Sequence, residues 1–279
     1  MPRPNPIAGY EDWPGTVRSA KPYVGADPAG TALGRVLGLR RLGGPSAVHD
    51  DGSRRLDGVL IHRLRWSMGY GPGTTAWLLR PAGVRRRLQQ GSSPTEEERF
   101  DLASGLHEDT LAKAAGALGQ TFAGAVLTDD LVAFDVLAAA DGVDPERLGT
   151  FGFSGGAGRI LLLAALDHRV AACVVSCMMA TFASLVPAEL DTHSWLLHIP
   201  GLWSLMDWPD LTAMGRARFL IQYRNDDELF PRAGMEQAHD HLLRLHAGTM
   251  RYRGSFTSGG HTFDAAMQDQ AWAFLAEAM

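Results

Sequence analysis

Cysteine, basic charge and long apolar runs are all scarce in this sequence of 279 residues. There are two cysteines, and the formal net charge is −5. Two thiols are too few for a disulfide framework, and free thiols are typical of a reducing compartment. We therefore expect a cytoplasmic protein. The acidic balance gives no reason to expect a nucleic-acid partner. The most apolar stretch, residues 160–165, is far too short to cross a bilayer, so we expect no membrane partner.

The two cysteines, Cys173 and Cys177, lie four residues apart in one apolar run. If that run is a strand, both side chains point to the same face, roughly 13 Å apart, which is too far for a disulfide. The N-terminal residues carry no apolar core of the kind that a signal peptide needs, so we expect no leader.

What the chain does contain is an ordinary globular composition, with 46% hydrophobic and 20% charged residues. Residues 1–56 are rich in proline, glycine and arginine and lack sustained periodicity. This predicts an N-terminal extension that wraps the domain or stays mobile. The domain itself is predicted at 57–279, with an insertion resembling a small cap at 176–217.

The order of predicted elements indicates the fold class. Residues 56–66 and 75–80 predict a hairpin, and 95–140 is helical in pattern. From residue 148 onward strands and helices alternate, which predicts an α/β fold with a mostly parallel sheet and helices on both faces. The predicted strands are 148–153, 170–175, 218–223 and 249–256, and the predicted helices are 159–166, 235–245 and 263–278.

Residues 152–156, Gly-Phe-Ser-Gly-Gly, form a Gly-x-Ser-x-Gly pattern around Ser154. This pattern is typical of a sharp turn from a strand to a helix, which exposes the serine hydroxyl. Glycines are needed in such a turn because larger side chains would collide. In a chain with 32 glycines the pattern alone is weak. Its place between a predicted strand and a buried helix favours a nucleophile over an idle serine in a glycine-rich turn.

A serine nucleophile needs a base, and His261 is the histidine best placed to be one. It follows Gly259-Gly260 in the loop between the last strand and the last helix, where catalytic groups of open α/β sheets gather. The alternative is an ordinary surface-loop histidine. His239, His241 and His246 lie on one helix at spacings that do not align on one face, so we expect no metal site.

The residue that orients the base should follow an intervening strand, because the order in this class is serine, acid, histidine. Residues 224–228, Arg-Asn-Asp-Asp-Glu, follow the strand that ends at 223. Three adjacent carboxylates, Asp226, Asp227 and Glu228, leave the choice of acid open from the residues alone.

Several segments resemble the branch of the α/β-hydrolase family that contains dienelactone hydrolases and acetyl xylan esterases. These are 152–156, 164–167, 169–172, 193–195, 227–231, 260–263, 267–268 and 272–275. The resemblance implies an α/β-hydrolase fold with no cofactor and no metal. It implies Ser154 as nucleophile and His261 as base, and it selects Asp227 as the acid. Gly155, the residue after the nucleophile, would donate its N–H to the oxyanion. Dienelactone hydrolases use a cysteine nucleophile, so Ser154 points to esterase chemistry.

The resemblance breaks between Gly83 and about Glu97. The family carries a strand–helix–strand block there, with a loop that supplies the other oxyanion donor, and this sequence lacks it. Losing one donor costs roughly 10²- to 10³-fold in rate, which predicts a slow enzyme.

The predicted insertion is rich in aromatic residues, including Phe182, Trp195, Trp203 and Trp208. One interpretation is a small cap that packs over the sheet. The other is that Trp195, His198 and Trp203 line a substrate pocket, with Phe153 beside the nucleophile as a further candidate.

Together these patterns predict hydrolysis of a small carboxylic ester, an acetyl ester or similar, through an acyl-enzyme on Ser154. The missing block motivates an alternative, a catalytically weak or inactive hydrolase fold that binds a ligand or partner. Peptidase activity is a weaker third hypothesis, because the sequence offers no propeller or large cap domain to gate peptides.

Overall fold

The computed structural model describes most of the chain, and contacts divide it into two compact units. One consists of residues 1–22, 40–120 and 128–144, and the other of 23–39, 121–127 and 145–279. The residues that the structure describes are 12, 15–16, 19–22, 27–41, 47–71, 73–81, 108–186, 189–190 and 193–279.

In chain order, the strands are β1 (Lys21–Pro22), β2 (Arg40–Arg41), β3 (His49–Leu56), β4 (Val59–Trp66), β5 (Thr74–Pro81), β6 (Leu148–Phe153), β7 (Val170–Ser176), β8 (Arg218–Arg224) and β9 (Tyr252–Thr257). The longer helices are α1 (Pro28–Val36), α2 (Glu108–Ala117), α3 (Phe122–Ala138), α4 (Gly155–Leu166), α5 (Arg232–Leu245) and α6 (Ala265–Ala278). Short helical turns lie at Phe182–Leu185, Leu202–Leu205 and Trp208–Ala213.

The first unit contains a three-stranded antiparallel sheet in the order β3-β4-β5. The predicted hairpin is confirmed as β4 and β5, which pair from Val59 opposite Pro81 to Trp66 opposite Thr74. The predicted helical region is confirmed for α2 and α3, and its first part, 95–107, lies outside the described residues. The proposed gap between Gly83 and Glu97 lies outside the described residues.

The second unit is built on a parallel sheet in the order β6-β7-β8-β9. Its two central strands, β7 and β8, are buried along almost their whole length, as expected for strands that are covered on both faces. Four residues lie side by side across the sheet, one on each strand from β6 to β9: Phe153, Ser176, Gln222 and Ser255. The carboxyl ends of all four strands therefore meet at one edge of the sheet.

Helices cover both faces of this parallel sheet. Ala172, Val174 and Leu220 form one core cluster with Phe274 and other residues of α6. Cys173 lies between Ala172 and Val174 on β7, and its thiol is directed to the carbonyl of Ile160 in α4, 3.8 Å away. Because successive side chains of a strand alternate between faces, α4 and α6 lie on opposite sides. The predicted layering is confirmed.

The starts of the last strand and the last helix are among the boundaries that were predicted wrongly. The last strand begins at Tyr252 instead of 249, because the Thr249 N–H donates to the carbonyl of His246 and closes a turn after α5. The last helix begins at Ala265, because the side chain of Asp264 caps it by accepting the Met267 N–H at 3.0 Å. Residue 263 therefore lies in the loop.

The region before residue 56 contains more regular structure than the sequence predicted. Helix α1 begins with Pro28 after Asp27, whose side chain accepts the Gly30 N–H at 2.6 Å. Leu33 and Leu37 are completely buried. An N-cap aspartate followed by proline was therefore the signal that the sequence analysis missed. The domain boundary at residue 56 stays a prediction.

The apolar run that carries the two cysteines is not one continuous strand, so the condition for placing both side chains on one face is not met. Strand β7 ends at Ser176, and Cys177 has a φ of 53°. Both thiols are buried and free. Among the helices that the structure describes, none is long and apolar enough to cross a membrane.

Candidate active site

Ser154 occupies the sharp turn between β6 and α4. Its φ of 54° and ψ of −128° lie where residues other than glycine are seldom found. The Ser154 N–H donates to the carbonyl of Ser176 at 2.9 Å, and its own carbonyl accepts the Ala157 N–H at 2.8 Å. A Cβ on Gly152 would lie 2.5 Å from the carbonyl oxygen of Gly156. The turn therefore requires glycine at 152, and it holds Ser154 in a strained conformation.

His261 and Asp227 come to Ser154 from the loops that follow β9 and β8. The Nε2 atom of His261 is 2.8 Å from the Oγ atom of Ser154. The Nδ1 atom of the same ring is 2.9 Å from Oδ2 of Asp227 and 3.1 Å from Oδ1. The Asp227 side chain has no exposed surface, and that of His261 is 11% exposed. Since an ionised carboxylate only accepts, Nδ1 carries the proton and Nε2 is free to accept one from Ser154.

Each of the three adjacent carboxylates has a different partner. Asp226 accepts the Gly259 N–H at 3.0 Å, and Glu228 accepts the main-chain N–H of His261 at 3.1 Å. Asp227 alone of the three meets the imidazole ring. The residue that the family resemblance selected is therefore the one that the structure places against the imidazole ring of His261.

A further histidine, which the sequence analysis gave no role, supports the loop that carries Asp227. The Nε2 atom of His193 is 2.9 Å from the carbonyl oxygen of Leu229, and the Leu229 N–H donates to Oδ1 of Asp227 at 2.9 Å. Burial lowers the pKa of His193, which favours a neutral ring with one N–H to donate. The ring of His193 also lies 4.7 Å from that of Phe230. Its place in the segment 193–195 that resembled the family was the available signal.

The four candidate substrate-binding residues fall into two groups. Phe153 packs beside His261, and the two ring centroids are 4.8 Å apart. Trp195, His198 and Trp203 line one cavity of about 360 Å³ in the predicted insertion. Trp195 and Trp203 are 37% and 53% exposed. The structure thus brings these three together and leaves Phe153 outside the cavity lining.

The predicted insertion approaches the serine turn at Leu196. A Cβ on Gly155 would lie 3.5 Å from the Cδ1 atom of Leu196, which is ordinary contact distance. Leu196 is the chain neighbour of Trp195, so a residue next in sequence to the cavity lining lies against the residue that follows Ser154. Gly155 opens helix α4, whose first N–H groups have no partner within the helix.

Neither cysteine is placed to act as a nucleophile. Burial raises the pKa of Cys173 to about 12. Burial, with a smaller contribution from the charge of Asp227, raises the pKa of Cys177 to about 12. Both are therefore neutral thiols at neutral pH. In the part of the chain that the structure describes, no three His, Cys, Asp or Glu side chains are grouped to hold a metal ion.

A parallel sheet covered by helices on both faces, with a serine on the turn after β6, defines the class of fold. The chain has an α/β-hydrolase fold. Two solved structures that share it are acetyl xylan esterase 1 from Thermoanaerobacterium sp. JW/SL YS485 and a glucuronoyl esterase from Solibacter usitatus. The first has a TM-score of 0.61 at 14% identity, covering 95% of this chain and 98% of that one. The second has a TM-score of 0.61 at 14% identity, covering 93% and 90%.

A relative found by sequence matches only part of the chain. The chain is 27% identical over 181 residues to a Bacillus subtilis (strain 168) protein named "Putative hydrolase YtaP". The matched region covers 63% of this chain and 60% of the relative, so it spans less than two thirds of that protein. No protein-family model matches the chain.

Proposed function

We propose that the protein hydrolyses a small carboxylic ester, an acetyl ester or similar, through an acyl-enzyme on Ser154. The observation that carries the proposal is the hydrogen-bonded series from Asp227 through His261 to Ser154, at 2.9 and 2.8 Å. A serine hydroxyl is a weak nucleophile, and a base oriented by a buried carboxylate is what activates it.

In this proposal His261 first takes the Ser154 proton at Nε2 while Oγ attacks the ester carbonyl carbon. The bond from that carbon to the alcohol oxygen breaks, and His261 returns the proton to the leaving alkoxide. Water then attacks the acyl-serine with His261 again as base, which releases the acid and restores Ser154. Asp227 holds the ring in the tautomer that both steps need and stabilises the imidazolium.

The Gly155 N–H is the proposed donor to the oxyanion. It lies in the residue after the nucleophile and at the start of α4, where the helix dipole favours negative charge. The names of the structural neighbours support ester chemistry, and the neutral thiols of Cys173 and Cys177 support serine over cysteine as nucleophile.

The experiment that tests the function is turnover of p-nitrophenyl acetate by the full chain and by Ser154→Ala. We expect the unmodified protein to release nitrophenol and to carry an acetyl group on Ser154 after rapid acid quenching. The Ser154→Ala variant should do neither. Turnover that survives this substitution would rule the mechanism out.

We further propose that the cavity lined by Trp195, His198 and Trp203 receives the alcohol part of the ester. Exposed indole faces suit an apolar or sugar face, and Leu196, next in sequence to Trp195, lies against Gly155 beside the nucleophile. Phe153, against the His261 ring, would line the acyl side.

Replacing Trp203 with Ala tests the role of the cavity. The substitution should raise KM for an acetylated xylo-oligosaccharide and leave kcat/KM for ethyl acetate unchanged, because ethyl acetate has no bulky alcohol part. Trp272, 36% exposed on α6, provides the matched control for loss of an indole. Equal effects of Trp203→Ala on both substrates would contradict the assignment.

A further inference from the structure

We propose that Arg224 is a positioning residue for His261 and that it acts through the fork geometry of its guanidinium group. The inference rests on the proposed function, because His261 is the base in that proposal. Arg224 is the last residue of β8, three residues before Asp227. Its side chain is only 7% exposed, so it is shielded from solvent.

The guanidinium group holds the loop of the base on both sides of His261. Its Nε–H donates to the carbonyl of Gly260 at 3.2 Å, and Nη2 donates to the hydroxyl of Thr262 at 2.7 Å. The Nη1 atom donates to the hydroxyl of Thr257 at 3.2 Å, where β9 ends. Two nitrogens of one planar group therefore hold the residues immediately before and after the base, and the third holds the end of β9.

The same group connects this loop to the start of helix α6. Its Nη2 atom lies 2.9 Å from Oδ2 of Asp264, the residue that caps the helix. The pKa of Asp264 is lowered, first by the Met267 N–H and then by the charge of Arg224. The buried cation thus has an ionic partner, which offsets part of the cost of removing it from water.

Two glycines, Gly259 and Gly260, precede His261. Arg224 lies close to the first and Glu228 lies close to the second, which explains why neither position carries a side chain. Gly259 has a φ of 120°, and a Cβ there would lie 2.8 Å from Nη2 of Arg224. A Cβ on Gly260 would lie 2.9 Å from Oε2 of Glu228, the atom that accepts the His261 N–H. The pair Gly259-Gly260 therefore admits a cation and a carboxylate that hold the loop from two sides.

The position of the His261 ring should affect the rate of the reaction more than it affects substrate binding. The Nε2 atom of His261 meets Ser154 at 2.8 Å, and misplacement of a reacting group by about 1 Å can cost about 10²-fold. A lysine at 224 would keep one positive charge for Asp264. It would lack the planar set of donors that the loop uses. Comparison of arginine with lysine therefore separates the fork geometry from the charge.

The test compares Arg224→Lys and Arg224→Met with Arg251→Met. Arg251 is a suitable control because it also donates to main-chain carbonyls, those of Thr212, Gly215 and Ala217, and it lies just before β9, at the amino ends of the strands. The measurements are kcat and KM for p-nitrophenyl acetate, the rate at which a fluorophosphonate labels Ser154, and urea unfolding.

Both Arg224 variants should lower kcat by about 10²-fold, with little change in KM. The labelling rate should fall in the same proportion, because labelling needs the base and no natural substrate. Arg251→Met should lose stability and keep kcat. If Arg224→Lys works at the unmodified rate, or if Arg251→Met loses kcat equally, the inference is overturned.

Thr262→Val keeps the test decisive if the Arg224 variants fail to fold, because it removes the hydroxyl that accepts from Nη2 of Arg224. Thr262 is exposed, so the variant should unfold at the same urea concentration as the unmodified protein, and kcat should still fall because Arg224 loses one contact to the loop. An unchanged kcat would count against a loop held by Arg224. An unmodified protein that neither turns over esters nor labels at Ser154 would overturn the proposed function itself. A normal unmodified enzyme with unaffected variants would overturn this inference alone.

Discussion

Replacing Asp227 with Asn is the substitution whose effect the site geometry defines most closely. Oδ1 of Asp227 accepts the Leu229 N–H at 2.9 Å, and Oδ2 faces Nδ1 of His261 at 2.9 Å. An asparagine that keeps the bond from Leu229 turns its NH₂ group toward Nδ1. Nδ1 must then accept a hydrogen bond, which moves the ring proton to Nε2. In that tautomer His261 cannot take the Ser154 proton.

The alternative orientation of the amide is also unfavourable. It would restore the tautomer but would bring the NH₂ group against the Leu229 N–H, at a side chain with no exposed surface. Leaving such a buried donor without a partner costs about 1–3 kcal/mol. In the serine–histidine–aspartate template the same substitution lowers kcat by about 10⁴-fold, or about 5.5 kcal/mol. We expect a loss of that order for Asp227→Asn.

The assay is initial-rate hydrolysis of p-nitrophenyl acetate, with urea unfolding of each variant measured in parallel. Asp226→Asn is the matched control, because Asp226 is exposed and an asparagine retains an oxygen for the Gly259 N–H. It should work near the unmodified rate. A loss below about tenfold for Asp227→Asn, or a greater loss for Asp226→Asn, would refute the assignment of the acid.

Three further predictions concern stability. Gly152→Ala should lower the free energy of unfolding by about 1–3 kcal/mol or more, seen by urea unfolding, because its Cβ would lie 2.5 Å from the Gly156 carbonyl oxygen. Leu220→Ala should cost about 2–5 kcal/mol in the same assay, since Leu220 is completely buried against α6. Burial lowers the pKa of His246 from 6.5, so the unfolded chain binds protons more readily and stability should fall as pH drops below 6.5. His246→Gln should weaken that dependence in unfolding measured across pH; an unchanged slope would contradict it.

The parts of the fold that sequence predicted well are those where burial leaves a simple pattern. Strand β7 is apolar because both of its faces are covered, and β6 is followed at once by the glycine-rich turn and the apolar helix α4. Strand β9 was placed less well, because Arg253, Gly254 and Ser255 interrupt its apolar pattern. Helix α1 was missed because its composition resembles that of a loop.

The candidate site could be predicted from the sequence only in part. Ser154 and His261 were indicated by their place after predicted strands, and the structure brings both together with Asp227. The residues alone could not rank Asp226, Asp227 and Glu228, since the choice depends on which side chain turns inward. The contacts of Arg224 with Gly260 and Thr262 carry no sequence signal, because burial of an arginine appears only once the two loops meet.

The central claim is that Ser154 is an activated nucleophile. Reaction of the full chain with a fluorophosphonate, followed by peptide mapping, tests it most directly, because the reagent needs a working serine and base but no knowledge of the natural ester. We predict a single label on Ser154, with no label on the Ser154→Ala protein and much slower labelling of His261→Ala. Label on another serine with none on Ser154, or an unlabelled protein under conditions that label an ordinary serine esterase, would contradict the account.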